Sequence, residues 1–353
     1  MQNIYKYIDL SGYSFTGKGA YNHLFSEFSI CHVHPYDFEF DLIRTRGGVL
    51  DLYNALVSDW SPVRSSECIR DFKKNIVSYG GNNTLLDRLT TNGRHYEYVF
   101  PGFNTISEKY INSLIDFKWK GQWPYAFDRD SKLQMLTHKI LSNLGCKDIY
   151  QKDIYLSSCT EDEFILKTKK YLNDILIRKV ESSATTIVMN NAFEPFDPLK
   201  SMKFFDNVKS IVIDRDPRDI YLSALNYVNQ DGSKGWKATL GGNVEEFIYR
   251  FTTYRNNIKD KDDDKQSVLR LSFEDLVLNY SCTLNRLFEF IEEDSCIHKY
   301  PKKYFNPGVS REGVGAWKNT KGRTREDVEK IYTELKDYCK DYYGASVKVL
   351  LLA

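Results

Sequence analysis

The sequence predicts an α/β protein with a central parallel sheet flanked by helices, and three observations predict it. Short apolar runs rich in β-branched residues recur at 4–10, 185–189, 210–213 and 267–271, which makes at least four strands. Helical patterns of ten or more residues separate the later runs, as in a sheet covered on both faces with ligands at the carboxyl ends of its strands. A turn rich in glycine and hydroxyls follows the first run directly and opens a helix.

Taken in order, residues 4–10 form the first strand and Gly12 begins the turn. Tyr13, Ser14, Phe15, Thr16, Gly17, Lys18, Gly19 and Ala20 then form a cradle for an anion. Glycines let backbone N–H groups point inward, and the following helix adds the positive end of its dipole. The spacing from Gly12 to Gly17-Lys18 also fits a nucleotide-hydrolase loop, but Gly19 stands where that loop needs Ser or Thr for magnesium. An ordinary strand-to-helix turn is the plainer alternative. Leu24, Phe25 and Phe28 share one face of the first helix. Cys31-His32-Val33-His34 leads to an acidic and aromatic alternation at 37–41, compatible with a strand end or a loop.

Residues 47–180 read as mostly helical, with stretches near 49–58, 65–78, 107–118, 131–143 and 162–180. Gly80-Gly81 and Trp123-Pro124 are the breaks. The charge run at 261–265 reads as a solvated loop. With no repeat and no linker rich in Pro, Gly or Ser, residues 1–353 are expected to form one domain carrying a helical insertion at about 47–180.

Composition excludes several classes. Lys and Arg number 49 against 48 Asp and Glu, so net charge makes no case for nucleic acid or an anionic membrane. Seven cysteines without a C-x-x-C pair argue against a disulfide framework and a zinc ribbon, and fit reduced thiols. No apolar leader and no run of 18 apolar residues is present, so no transmembrane segment and a cytoplasmic location are expected.

Two further phosphate signals lie in the second half. Asp214-Arg215-Asp216-Pro217-Arg218-Asp219 ends the third strand and starts a helix at Pro217, putting Arg215 just before it and Ser223 two turns in. A guanidinium and a hydroxyl at this spacing suit one phosphate; mutual pairing of the four charges is the alternative. Near the C-terminus, Ser310-Arg311-Glu312-Gly313-Val314-Gly315-Ala316-Trp317-Lys318-Asn319 is a glycine-rich loop with both charge signs.

Together these segments resemble the sulfotransferases that use 3′-phosphoadenosine 5′-phosphosulfate (PAPS). The first turn looks like their 5′-phosphosulfate loop, Arg215 to Ser223 like their 3′-phosphate motif, and 315–319 like their Gly-Asp-Trp-Lys-Asn segment. Leu271-Ser272-Phe273-Glu274-Asp275-Leu276 is similar to the family's Tyr-Glu-Asp-Leu, whose aromatic lies near adenine. The resemblance implies a P-loop-like sulfotransferase fold and cofactor contacts from residues 13–20, Arg215, Ser223, Phe273, Arg311, Gly313 and Trp317. This sequence departs from the family at Phe15, which takes the place of the loop lysine, leaving its role to Lys18 or to the backbone N–H groups of 15–20 with the Thr16 hydroxyl, and at Ala316, which replaces an Asp.

The resemblance further implies in-line transfer of a sulfuryl group from PAPS to an acceptor hydroxyl, leaving adenosine 3′,5′-bisphosphate (PAP), with no metal required. The acceptor expected is a glycan or a sterol or other lipid alcohol, and homo-oligomer formation is compatible with the sequence. A base must take the acceptor proton. Glu39 is favoured because Phe38 and Phe40 would desolvate it and raise its pKa; His34 is the second candidate. Asn190 and Asn191 follow the second strand, where ligands or a plain turn are expected. Arg44 and Arg46 suit an anion or plain solvation. Trp60, Trp119, Trp123 and Tyr125 suit a stacking platform, with core packing the preferred reading. Two other classes fit in part: an ATP-dependent small-molecule kinase, with Asp214 at a strand end for magnesium, and a non-catalytic nucleotide-binding protein.

Overall fold

The computed structural model describes residues 5–35, 38–81, 95–126, 131–145 and 150–340. Its main sheet has five strands: β1 (Lys6–Gly12), β2 (Cys31–Val33), β5 (Thr186–Asn190), β6 (Val208–Asp214) and β7 (Val268–Ser272), in the order β2-β5-β1-β6-β7. β6 and β7 run parallel, with Ile211 opposite Leu269 and Asp214 opposite Ser272. Helices separate most successive strands, as a parallel sheet requires. β5 is buried at all five positions, with Ile187, Val188 and Met189 as its apolar centre, rather than alternating between buried and exposed residues. β2 is the strand beyond the four expected; at three residues it is too short to carry a periodic signal.

Between β2 and β5 the expected helices form, with one difference. The helix expected at 107–118 spans Phe103–Ser113, and Phe117–Gln122 (β3) pairs antiparallel with Gln151–Leu156 (β4). Every β3 residue except Gly121 is exposed, so no buried stripe marked it as a strand. Pro62–Gly80 begins with a Ser61 hydroxyl accepting from the Arg64 N–H at 3.1 Å and stops at Gly81, φ 63°. Glu161–Leu176 begins at Thr160 with three acidic residues in its first turn, which favour the positive end of its dipole. Tyr110 and Tyr171 stack with centroids 4.0 Å apart inside this helical layer.

The chain divides into two compact units. One comprises Met1–Tyr7, Asp37–Phe193 and Leu199–Val208; the other Ile8–Tyr36, Glu194–Pro198 and Lys209–Ala353. The first has an aromatic core that includes Phe38, Phe40, Phe72, Tyr96, Phe103 and Phe164. In the second, one apolar cluster joins Ile220, Tyr221, Phe247, Phe251 and Ile331, with Phe15 packed on it. Also in the second unit, the fully buried Glu27 accepts from the backbone N–H groups of Lys302, Tyr304 and Phe305 and pairs with His298 at 2.7 Å. That carboxylate ties the first helix to the 298–305 segment. Among the described residues, no helix is long and apolar enough to cross a membrane.

Candidate active site

The glycine-containing turn after β1 opens a helix directly. Ser14 (φ 74°), Phe15 (φ 54°) and Gly17 (φ 81°) all take left-handed backbone, and Gly17 caps the helix Lys18–Phe25. Left-handed backbone costs a non-glycine residue about 1–2 kcal/mol, so the surrounding packing must hold Ser14 and Phe15 there. Gly17 also has no room for a side chain, since a Cβ there would lie 2.4 Å from the Phe273 ring. At Gly12 a Cβ would meet Thr16 Oγ1 at 2.4 Å and the Lys18 Cβ at 3.7 Å, so the lysine stem lies along the cradle. Gly19, by contrast, faces open space. Ser14 is exposed, Thr16 is buried, and Gly19 and Ala20 are partly covered in the first helical turn.

Phe15, at the place of the family's loop lysine, points away from charge chemistry. Its ring meets Tyr227 edge-on at 5.6 Å and packs on the apolar cluster, so Lys18 at the first helical position is the cation of this turn. The Tyr13 ring is likewise committed inward. Its hydroxyl donates to the Pro195 carbonyl at 3.1 Å and accepts from Arg270 at 2.9 Å, and Arg255 stacks on its ring at 4.1 Å.

Arg215 binds three segments together. Its Nη1 donates to the Phe15 carbonyl at 3.2 Å and to Ser223 Oγ at 3.0 Å, its Nη2 donates to the Gly313 carbonyl, and its guanidinium lies over the Phe273 ring at 4.8 Å. Sequence spacing explains the Ser223 contact: Asp216 caps the helix Pro217–Asn226, and Ser223 faces back from two turns along. Burial pulls the Arg215 pKa down, while Asp219, Glu274 and Asp216 oppose that and hold it charged. Arg311 is exposed on the Arg311–Gly313 turn that carries the Gly313 carbonyl.

The neighbouring charges do structural work. Arg218 and Asp216 form a fully buried pair, with Nε at 3.0 Å and Nη2 at 2.7 Å from the carboxylate, and Trp317 covers the guanidinium at 3.7 Å. Asp219 accepts from the Gly315 N–H at 2.7 Å and the Trp317 N–H at 3.3 Å, fastening the C-terminal loop to the same helix. Burial pushes its carboxyl upward, opposed by the Gly315 N–H and Arg215. Glu274 lies beneath this turn with no exposure, accepting from the Asp216 N–H at 2.8 Å, and burial raises its pKa to about 7.

In the other unit, Glu39 stands between buried Phe38 and Phe40, whose rings face the core and leave the carboxylate on the opposite side. Its side chain is 42% exposed, so it is partly covered. Its oxygens accept from Asn191 Nδ2 at 2.6 Å and Arg44 Nη2 at 3.1 Å. His34, which belongs to the cradle's unit, is 3% exposed, and burial first, then His32, pushes its pKa down to about 3, which makes it a weak proton acceptor. Trp60, Trp119 and Tyr125 are 47%, 44% and 45% exposed rather than core residues. Trp123 donates to Glu67 at 2.9 Å, and Arg46 lines an open cavity of about 440 Å³ with Asp51, Arg64 and Asp71.

Sequence reasoning did not find the pairing of Asn191 with Glu39, because the two lie 152 residues apart. Nor did it separate Arg215 from Arg218, whose chemistry is identical before folding.

Residues 135–336 match the sulfotransferase domain family, a stretch that includes the Arg215 motif and the C-terminal loop but not the first cradle. Comparison with curated protein sequences gives no match. Among solved structures, the chain is similar to the sulfotransferase domain from the curacin biosynthetic pathway, at 11% identity over 94% of this chain and 98% of that one, TM-score 0.40. It is also similar to retinol dehydratase in complex with androsterone and the inactive cofactor PAP, at 13% over 96% and 83%, TM-score 0.34. A sulfotransferase from Mycobacterium avium matches at 13% over 96% and 77%, TM-score 0.36. Because the family match spans more than half of the 353 residues, the chain belongs to the sulfotransferase domain family, whose reaction is sulfuryl transfer.

Proposed function

We propose that this sulfotransferase takes the sulfuryl group from PAPS and delivers it in line to a hydroxyl of a glycan or of a sterol or other lipid alcohol. The observation that carries the reading is Arg215, which meets the cradle at Phe15, the helix at Ser223 and the C-terminal loop at Gly313. A nucleotide with phosphates at both its 3′ and 5′ ends needs those segments in one place. The residues present fit such a group: the left-handed turn at 14–17 and the Lys18 helix start suit the 5′ end, and Arg215, Ser223 and Arg311 the 3′ phosphate. When bound, PAPS supplies the sulfuryl group and PAP as the leaving group.

In this reading the cradle N–H groups and Lys18 stabilise charge on the leaving phosphate and the transferring oxygens. Phe273 would hold the adenine side, and Gly313 and Trp317 close the C-terminal loop on it. Glu39 is the base that takes the acceptor proton, with His34 disfavoured by its burial. Exposed Trp119 and Tyr125 within the 47–180 block support a flat or sugar-like acceptor there. The kinase alternative loses support: Gly19 offers no hydroxyl for magnesium, and both carboxylate oxygens of Asp214 are engaged by Arg255, at 2.5 and 3.1 Å.

The test is PAP release from PAPS against a panel of phenols, sterols and sugars, with Glu39→Gln beside the wild type. Turnover lost in Glu39→Gln with PAP binding retained supports the reading. Unchanged turnover in that variant moves the base elsewhere.

A further inference from the structure

We infer that Asn191 is a positioning residue that fixes the orientation of the Glu39 carboxylate and so sets the direction and pH range of proton removal. The inference rests on Glu39 being the base. β5 ends at Asn190, and Asn191 turns left-handed with φ 54°, a backbone that Asn tolerates better than most residues. That turn brings the chain back against 38–40. The Phe40 N–H donates to the Asn190 carbonyl at 2.8 Å, and Asn190 Nδ2 donates to the Phe38 carbonyl at 2.9 Å. Tyr96 adds a third tie, its hydroxyl donating to the Glu39 carbonyl at 3.3 Å and accepting from the Leu42 N–H at 3.2 Å. The backbone on both sides of Glu39 is therefore pinned, and its side chain leaves from a fixed place.

Two donors then divide the carboxylate. Asn191 Nδ2 holds Oε1 at 2.6 Å and Arg44 Nη2 holds Oε2 at 3.1 Å. Arg44 is a shared donor, since the same Nη2 lies 2.7 Å from Asp41, so its hold on Glu39 is the weaker of the two. The amide supplies a short neutral hydrogen bond, which orients the carboxylate and favours its charged form.

Asn191→Gly keeps the left-handed backbone and removes only the amide; Asn191→Asp keeps shape and backbone but replaces the donor with a second carboxylate. Both are compared with Glu39→Gln. The first readout is the ¹³C NMR titration of the Glu39 carboxyl, assigned by its loss in Glu39→Gln. The second is the rate of PAP release from PAPS with the fastest acceptor of a phenol, sterol and sugar panel. Losing one hydrogen bond to a charged group predicts roughly a tenfold to hundredfold fall in kcat for Asn191→Gly. It also predicts a Glu39 titration raised by about one pH unit, with the acid limb of the rate profile following it. Asn191→Asp should raise the titration further, and PAP affinity should stay within about twofold of the wild type in both variants, since a misaimed base leaves nucleotide contacts intact.

A purely structural role would lower stability without moving the Glu39 titration. An Asn191→Gly enzyme with wild-type titration and kcat, beside an inactive Glu39→Gln, overturns this inference alone. An active Glu39→Gln overturns the base assignment and this inference with it.

Discussion

Gly17→Ala should damage the cradle in two separable ways. The left-handed backbone at φ 81° costs alanine about 1–2 kcal/mol. The new methyl would also meet three carbons of Phe273 at 2.4, 2.7 and 2.9 Å. Phe273 cannot swing clear: it is 8% exposed, it begins a helix, and Arg215 covers its ring at 4.8 Å. Overpacking of this kind costs about 1–3 kcal/mol, so the total comes to about 2–5 kcal/mol. Urea denaturation of Gly17→Ala in the wild-type and Phe273→Leu backgrounds separates the parts. In the leucine background the loss should shrink toward the backbone part, about 1–2 kcal/mol. Calorimetry with PAP should show weaker binding by Gly17→Ala in both backgrounds. Wild-type stability and wild-type PAP affinity in Gly17→Ala would refute the packing of this turn against Phe273.

Two other predictions concern the turn under Arg215. Arg218→Ala leaves Asp216 buried without its guanidinium and exposes one face of Trp317, so stability should drop by about 3–5 kcal/mol in the same urea assay. Arg218→Lys should recover little, because an ammonium cannot replace the planar fork. Glu274 holds its proton up to about 7 when folded, against an ordinary 4.5. The folded state therefore binds the proton more tightly, and stability should fall as pH rises from about 4.5 to 7, by on the order of 3 kcal/mol, then level off. Glu274→Gln should flatten that slope in melting temperatures taken from pH 5 to 8; an unchanged slope would assign the dependence to other groups.

The sheet was legible because its strands are short apolar runs, and the turn after β1 because Gly12 and Gly17 mark a sharp bend between strand and helix. The eight-residue interval from Arg215 to Ser223 was legible because a helix start brings those positions face to face. What stayed hidden depends on contacts distant in sequence. Nothing near Asn191 announces a carboxylate 152 residues upstream. Nothing local tells that Arg218 is buried against Asp216 while Arg215 reaches the cradle. β3 hid for a different reason: its Phe-Lys-Trp-Lys alternation has strand period, but exposure on both faces removes the buried stripe that would separate it from a helix end. Glu39 stands out in the sequence for its aromatic neighbours, and the same alternation that buries them turns it toward solvent.

The most direct measurement is calorimetry of the wild type and Arg215→Ala, titrated with PAP in the presence of a chelator and separately with ATP plus magnesium. Three segments joined at Arg215 predict metal-independent PAP binding near micromolar, weakened by about 2 kcal/mol or more when that guanidinium is removed. Preference for magnesium-ATP, or equal PAP affinity in both proteins, would contradict it.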